Sequence, residues 1–350
     1  MQKIILISVF ILSLILIGCE RNIFTLPVKE NTEALVRFNQ PVKYDYNPAN
    51  YPVIIENYNT KGELEQMVYM KPPERVVAVW QNSIETLLAL DVGDRIIAAN
   101  GVPDKKFFHK EYQQKYSSIP YTGLQLLDLE TTIMLQPDLI VGWHSTFGAK
   151  VLRSTEFWHK RGVNTFIARS SMMDNNPRTL KNEYQDILDL GKIFDKNEKA
   201  QQLVNKMQKE VEYATTQTAG FKLCPRALII EFLGKEPSVY NAKSLGGNIV
   251  QELHGELLAS KNRTIGMEQI VDLDPDVIFV VITEFNYGRE QDMINRITQH
   301  KALKHLRCVE NGRVLTLPLY AIYSSGVRTY EGIKIIAGGL YPDLYKEKKL

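Results

Sequence analysis

The residues with chemistry to offer stand just after runs of apolar, β-branched residues. Trp80-Gln81-Asn82 follows Val76-Val77-Ala78-Val79, Trp143-His144-Ser145 follows Leu139-Ile140-Val141, and Arg169-Ser170-Ser171 follows Thr165-Phe166-Ile167-Ala168. Tyr121-Thr122-Gly123 belongs to the same half of the chain. The other half offers Phe232, Tyr240-Asn241, Thr283-Glu284-Phe285, and the stretch that carries Tyr320, Tyr323 and Arg328. In doubly wound α/β sheets, ligands gather where strands end and helices begin. Tryptophan and tyrosine supply area with a polar handle, and arginine supplies a planar fork for carboxylate or catecholate oxygens. Trp80, Tyr121, Trp143, Arg169, Tyr240, Phe285, Tyr320, Tyr323 and Arg328 therefore suit a large, ring-bearing, partly anionic chelate. A small oxyanion would call for backbone donors and hydroxyls instead. His144 could serve as an axial ligand to a haem or nickel chelate, and Tyr240, Tyr320 or Tyr323 could act through phenolate. No other direct metal ligand is expected; His300 and His305 have neither helical pair spacing. Trp158 and Phe157 fall within a helix and read as core. Catalytic motifs are missing: there is no P-loop, no G-x-G-x-x-G after the first strand, no H-E-x-x-H and no G-x-S-x-G.

The elements that must position these residues are marked by an internal repeat. ETTIMLQPDLIV at 130–141 and EQIVDLDPDVIFV at 268–280 match at a constant offset of 138 residues. Glu130 falls on Glu268, Leu135 on Leu273, and Pro137-Asp138 on Pro275-Asp276. Each copy reads as a short amphipathic helix led by a glutamate, a Pro-Asp break, and a strand apolar on both faces. Strands alternate with helices on either side, so two doubly wound α/β lobes are expected, with a ligand cleft between them. Residues 51–70 read as a hairpin turning at Asn59-Thr60-Lys61-Gly62, residues 82–90 as a helix capped by Asn82 or Ser83, and 34–38 as a first strand. Residues 180–217 carry helical periodicity with one glycine and no proline, long enough for a single helix to bridge the lobes.

The 350 residues suffice for two cores, and a formal net charge of +2 gives no electrostatic case for nucleic acid. The first 18 residues, with Lys3 followed by an apolar run, read as a secretory signal. Leu16-Ile17-Gly18-Cys19 resembles a bacterial lipobox, which implies cleavage before Cys19 and acylation of it; several acyl chains anchor stably where one does not. Residues 19–50 then form a tether, 51–176 the first lobe, 177–222 the linker helix and 223–350 the second lobe. Cys224 and Cys308 could be joined in an exported protein or be two small hydrophobes.

From Pro72 onward the chain resembles the substrate-binding proteins of bacterial ABC importers for iron-siderophores, haem and vitamin B12. The likeness rests on PPERVVAVWQNSIETLLALDVGDRIIAA, the LE…LQPDLIVG and ME…LDPDVIFV pair, and the ending SGVRTYEGIKIIAGGLYPDL. It implies two α/β lobes joined by a long helix, extracytoplasmic location, no cofactor and no enzymatic activity. Glu130 and Glu268 occupy the positions from which such proteins pair with arginines on the two permease subunits. Two exposed carboxylates a lobe apart set a docking geometry more than an affinity. The expected cargo is an iron chelate, a ferric siderophore first, with haem, cobalamin or a nickel chelate as alternatives. The alternatives of another class are a surface scavenger without a permease, which would not need the two glutamates, and an enzyme on this scaffold.

Overall fold

The computed structural model describes residues 28–40, 42–172, 176–260 and 262–346. The expected signal peptide and Cys19 lie outside the described residues.

Val76–Val79 occupies the centre of the first lobe because both its faces are apolar. Val76 and Ala78 point into the central core, while Val77 and Val79 point into an outer layer that also holds Ile97, Ile140 and Trp158. The sheet order is Lys29–Glu30, Tyr121–Gly123, Ile96–Asn100, Val76–Val79, Leu139–Gly142, Asn164–Ile167. All neighbours are parallel except the first pair. The second lobe repeats the scheme. Ser238–Val239, Arg226–Glu231, Val277–Ile282 and Val314–Pro318 lie in that order, with Glu256–Leu257 beside the start of Arg226–Glu231. Ala227 and Ile229 face the central core, and Leu228 and Ile230 face the outer layer.

The repeat has a physical basis at the strand starts. In both copies the residue before the proline takes a left-handed conformation, Gln136 at φ 49° and Asp274 at φ 39°. The aspartate after the proline then caps the neighbouring strand. Asp138 accepts from the Glu74 and Arg75 amides at 2.7 and 2.9 Å, and Asp276 accepts from the Arg226 amide at 2.9 Å. Arg75 donates back to the Leu135 carbonyl and Arg226 to the Asp274 carbonyl. A missing proline N–H is harmless there, and the buried strand start is left with its donors satisfied.

The connection between lobes is helical but not one helix. It divides into Leu180–Ile193 and Asn197–Thr218, with Asp195 at φ 55° between them. The Asp195 carboxylate accepts from the Asn47 amide at 2.7 Å and the Asn50 side chain at 2.6 Å. Residues 42–50 are thus laid against the first lobe, in place of the spacer expected over 19–50. The strand expected at 34–38 is the helix Thr32–Phe38. Asn31 caps it, accepting from the Ala34 amide, and Val36 is 59% exposed where a strand would have buried it with Ala34. The expected hairpin forms as Val53–Tyr58 paired with Leu64–Tyr69. Buried Asn57 docks it on the sheet edge, exchanging hydrogen bonds with the Ile167 amide and carbonyl at 2.7 and 3.0 Å.

Candidate functional site

Each sheet has one place where chain order reverses: between Val76–Val79 and Leu139–Gly142 in the first lobe, and between Arg226–Glu231 and Val277–Ile282 in the second. The carboxyl ends of these four strands face one another across a cleft of about 310 Å³. Trp80 and Trp143 come from the first switch point, Glu231 and Glu284 from the second, and Tyr240, Tyr320 and Tyr323 complete the wall.

Trp80 is held in a costly backbone conformation, φ 73°, ψ 152°, at the position preceding the helix Gln81–Ala89. A non-glycine residue there costs on the order of 1–3 kcal/mol and persists only where the surroundings enforce it. They do so from several directions. The Trp80 amide donates to the Asn100 carbonyl at 2.9 Å and its indole to the Thr146 hydroxyl at 3.0 Å. Its ring lies over Gly101 (φ 93°), where a Cβ would sit 2.8 Å from the indole. The helix is therefore capped at Trp80, two or three residues before the Asn82 or Ser83 cap expected from sequence. Asn82 lies inside the first turn, and its side-chain oxygen accepts from the Trp143 indole at 2.7 Å. The two indoles stack with centroids 5.1 Å apart and planes at 26°. Tyr323 joins them, 5.3 Å from Trp143, and Arg178 lies 3.8 Å over the Tyr323 ring and donates to its hydroxyl at 2.9 Å.

On the opposite wall the Tyr240 hydroxyl donates to Glu231 Oε2 at 2.8 Å. Burial, with Glu231 beside it, raises the Tyr240 phenol well above its ordinary range. Tyr320 donates to Glu331 at 3.0 Å and lies under the Arg328 guanidinium at 4.1 Å; burial raises its phenol as well. Both phenols therefore stay protonated at neutral pH. Among the described residues lining the cleft, Glu231 and Glu284 are the charged ones, and both are acidic.

Five expected residues do not line this cleft. Arg169 pairs with Asp186 at 2.5 Å and Asp189 at 2.7 Å, anchoring the strand end to the linker helix. Arg328 is 8% exposed and held between Glu85 at 3.2 Å and Glu331 at 2.6 Å. The arginine forks expected for an anionic chelate are thus engaged by carboxylates of the protein itself. The His144 ring is hydrogen-bonded through Nε2 to the Thr60 carbonyl at 3.0 Å in the hairpin turn. Tyr121 lines an outer concavity beside Glu130, and Phe285 is 92% exposed. Glu231 and Arg178 were absent from the expected set. A carboxylate closing the run Ala-Leu-Ile-Ile-Glu was a readable signal for Glu231; Arg178 follows a proline in the linker and gave none.

The lobes meet through the segment 324–328 of the second lobe, which reaches into the first. Glu183 of the linker helix accepts from the Ser325 and Gly326 amides at 3.1 and 2.6 Å. Gly326 (φ 53°) has room for no side chain, since a Cβ would lie 2.2 Å from Thr86 Oγ1. Burial raises the carboxyls of Glu183 and Glu85 above their ordinary values, although Arg328 pulls Glu85 the other way.

Glu130 and Glu268 are exposed in the first turns of Leu129–Met134 and Met267–Leu273. Val28 and Glu30 line the same outer concavity as Glu130, so the chain enters the first lobe beside that glutamate. Among the described residues, no three His, Cys, Asp or Glu side chains gather as a metal centre. Cys224 is an exposed free thiol and Cys308 a buried one. No helix of the described residues is long and apolar enough to cross a membrane.

Comparison with known proteins places this geometry. A family model for periplasmic binding proteins matches residues 76–321. The crystal structure of a periplasmic binding protein from Veillonella parvula superposes with a TM-score of 0.84 at 41% identity, covering 88% of this chain and 97% of that one. An uncharacterized ABC transporter substrate-binding lipoprotein of Bacillus subtilis is 22% identical over 302 residues, 85% of this chain and 88% of that protein. The crystal structure of an ABC-type Fe3+-hydroxamate transport system from Saccharomonospora viridis has the same fold, with a TM-score of 0.65 at 18% identity, covering 83% of this chain and 99% of that one.

Proposed function

The chain belongs to the periplasmic binding protein family, and from that footing we propose that it captures a metal chelate outside the cytoplasm, a ferric siderophore first, and hands it to an ABC import permease. The observation that carries this is the cleft where both switch points converge, walled by Trp80, Trp143 and Tyr323. Stacked rings present a rigid apolar face to a chelate's organic shell with little side-chain entropy to lose. Glu231 and Glu284 refine the cargo class. A triply anionic catecholate core would meet two like charges in a half-dry cleft, whereas a neutral or cationic hydroxamate core would not.

Two of the three tryptophans lie in the cleft and Trp158 is 1% exposed in the core, so intrinsic fluorescence reads the site directly. The soluble form beginning at Glu20, titrated with a ferric trihydroxamate, a ferric tricatecholate, cobalamin and haemin, is expected to show saturable quenching by the trihydroxamate, lost in Trp143→Ala. Quenching by the catecholate alone would overturn the charge argument, and silence across the panel would overturn the chelate reading.

Delivery rests on Glu130 and Glu268, which the duplicated helix starts set at equivalent places on the two lobes. Lipidated Cys19 precedes Val28 by nine residues, a tether of at most about 32 Å when fully extended. Its arrival beside Glu130 suits a molecule whose docking face is turned toward the membrane that anchors it. Glu130→Ala/Glu268→Ala should abolish chelate uptake by cells while leaving cleft binding by the purified protein unchanged. Undiminished uptake would favour the scavenger that needs no permease.

A further inference from the structure

Tyr320 has a second face. Beyond it lies a chamber of about 680 Å³, built by the loop and helix at 106–113, the linker helix near Met207, and the closing helix near Lys334. Its floor is apolar and aromatic, with Phe107, Tyr112, Met207 and Ile335 among its residues. Its rim is basic. Lys106, Lys110, Lys206 and Lys334 line it together with Arg328, against the carboxylates of Glu111 and Glu331. Glu331 is engaged by Arg328 and by the Tyr320 hydroxyl, while Glu111 is an exposed carboxylate 3.7 Å from the His109 imidazole, so the four lysines outnumber the carboxylates left to face them. None of the four lysines has a carboxylate within ion-pair distance among the described residues. Three of them lie against rings, with Lys206 4.2 Å and Lys334 5.7 Å from the Tyr330 centroid and Lys106 5.4 Å from that of Phe107.

Two features separate this from an ordinary solvated basic face. Lys334 is half-buried rather than exposed. Arg328 is almost wholly buried, and its Nε–H is a buried donor with no acceptor. An unmatched buried donor is unfavourable, and cations gathered over an apolar floor repel one another unless an anion joins them. The chamber and the cleft share Tyr320. Their linings differ in sign: Glu231 and Glu284 line the cleft, with Arg178 behind it over Tyr323, and four lysines against the exposed Glu111 line the chamber.

We propose that this chamber is an anion subsite that takes a carboxylate-bearing, partly apolar arm of the cargo whose chelate core lies in the cleft. The inference rests on the reading of the cleft as a chelate site and narrows it to a bipolar chelate: a neutral or cationic metal-binding core on one side of Tyr320, an anionic arm on the other. Aromatic floor and basic rim together select an oxyanion carried on a ring or chain rather than a free inorganic one.

The test has two arms. In the first, the soluble form is titrated calorimetrically with 1-naphthoate and with its uncharged counterpart 1-naphthamide. Naphthoate should bind once per chain, weaken with salt, and lose about tenfold in Lys206→Ala/Lys334→Ala, while Trp143→Ala leaves it unchanged. Equal affinity for the amide and the acid, or no effect of the double substitution, would overturn the subsite. In the second arm, a linear ferric trihydroxamate ending in an amine is compared with its N-succinyl derivative, which ends in a carboxylate. The succinylated form should be preferred by the wild-type protein and the preference lost in Lys206→Ala/Lys334→Ala. Preference for the amine, or a carboxylate preference that survives the double substitution, would refute the bipolar arrangement. Failure of both chelates to bind, with naphthoate still bound, would refute the chelate reading of the cleft and the bipolar cargo with it, and leave the anion site standing alone.

Discussion

Asn82 and Glu183 do different work from polar residues that merely face water. Asn82 fixes the Trp143 ring through a 2.7 Å bond to its indole, and its amide reaches Ser324 of the other lobe at 3.4 Å. Asn82→Ala removes the acceptor and leaves the indole free to turn. Chelate affinity should fall about tenfold, roughly 1.4 kcal/mol, with the unfolding midpoint changed far less; an unchanged affinity would show that ring stacking alone sets Trp143. Glu183 predicts a pH dependence. Burial raises its carboxyl above the ordinary value of 4.5, so its contribution to stability is complete below that value and is lost as pH rises through the raised one. Asp186, one turn along the same helix, is pushed up to about 7 by burial against the pull of Arg169. Glu183→Gln keeps an acceptor for the Ser325 and Gly326 amides and carries no proton to lose. The thermal midpoint of Glu183→Gln relative to wild type should therefore rise as pH increases above about 5; a constant difference would mean that Glu183 does not titrate in the folded protein over that range.

At the scale of elements, the parts most legible in sequence are those where one physical requirement acts alone. Strands covered on both faces must be apolar throughout, and Val76–Val79, Leu139–Gly142 and Val277–Ile282 were readable for that reason. The duplicated Pro-Asp was visible because both copies solve the same capping problem at a buried strand start. Elements set by competition were not legible. Residues 34–38 suit strand or helix alike, and the Asn31 cap decides between them. The linker lost its continuity at Asp195, where contacts from Asn47 and Asn50 hold a left-handed turn that no period reveals. For the site, the aromatic wall could be read from its place after strands, while the diversion of Arg169 and Arg328 into ion pairs could not, since their acidic partners are distant in sequence. The segment 324–328 carries its own prediction. Gly326→Ala would place a Cβ 2.2 Å from Thr86 Oγ1 on a backbone with φ 53°. Overpacking and backbone strain together should cost about 3 kcal/mol in urea unfolding; a loss below about 1 kcal/mol would mean the segment can shift aside.

For the molecule as a whole, the cleft and its surroundings assign distinct tasks to distinct surfaces. Rings and carboxylates stand at the switch points, lysines stand beyond Tyr320, and the duplicated helix starts carry Glu130 and Glu268 outward on both lobes. The buried side chains behind these surfaces divide unevenly. Each lobe keeps an outer layer of its own, but Val76, Ile84, Ile187, Val204, Ile229, Phe279 and Ile336 belong to one continuous inner core that runs through both lobes and the linker helices. With segment 324–328 also seated in the first lobe, neither half can leave without opening the other's interior. Heat should therefore melt the protein in a single cooperative step, with the calorimetric enthalpy equal to the van't Hoff value, and a chain cut after the first lobe should remain unfolded. Two separated heat-capacity peaks would show instead that the lobes are thermodynamic neighbours rather than one unit.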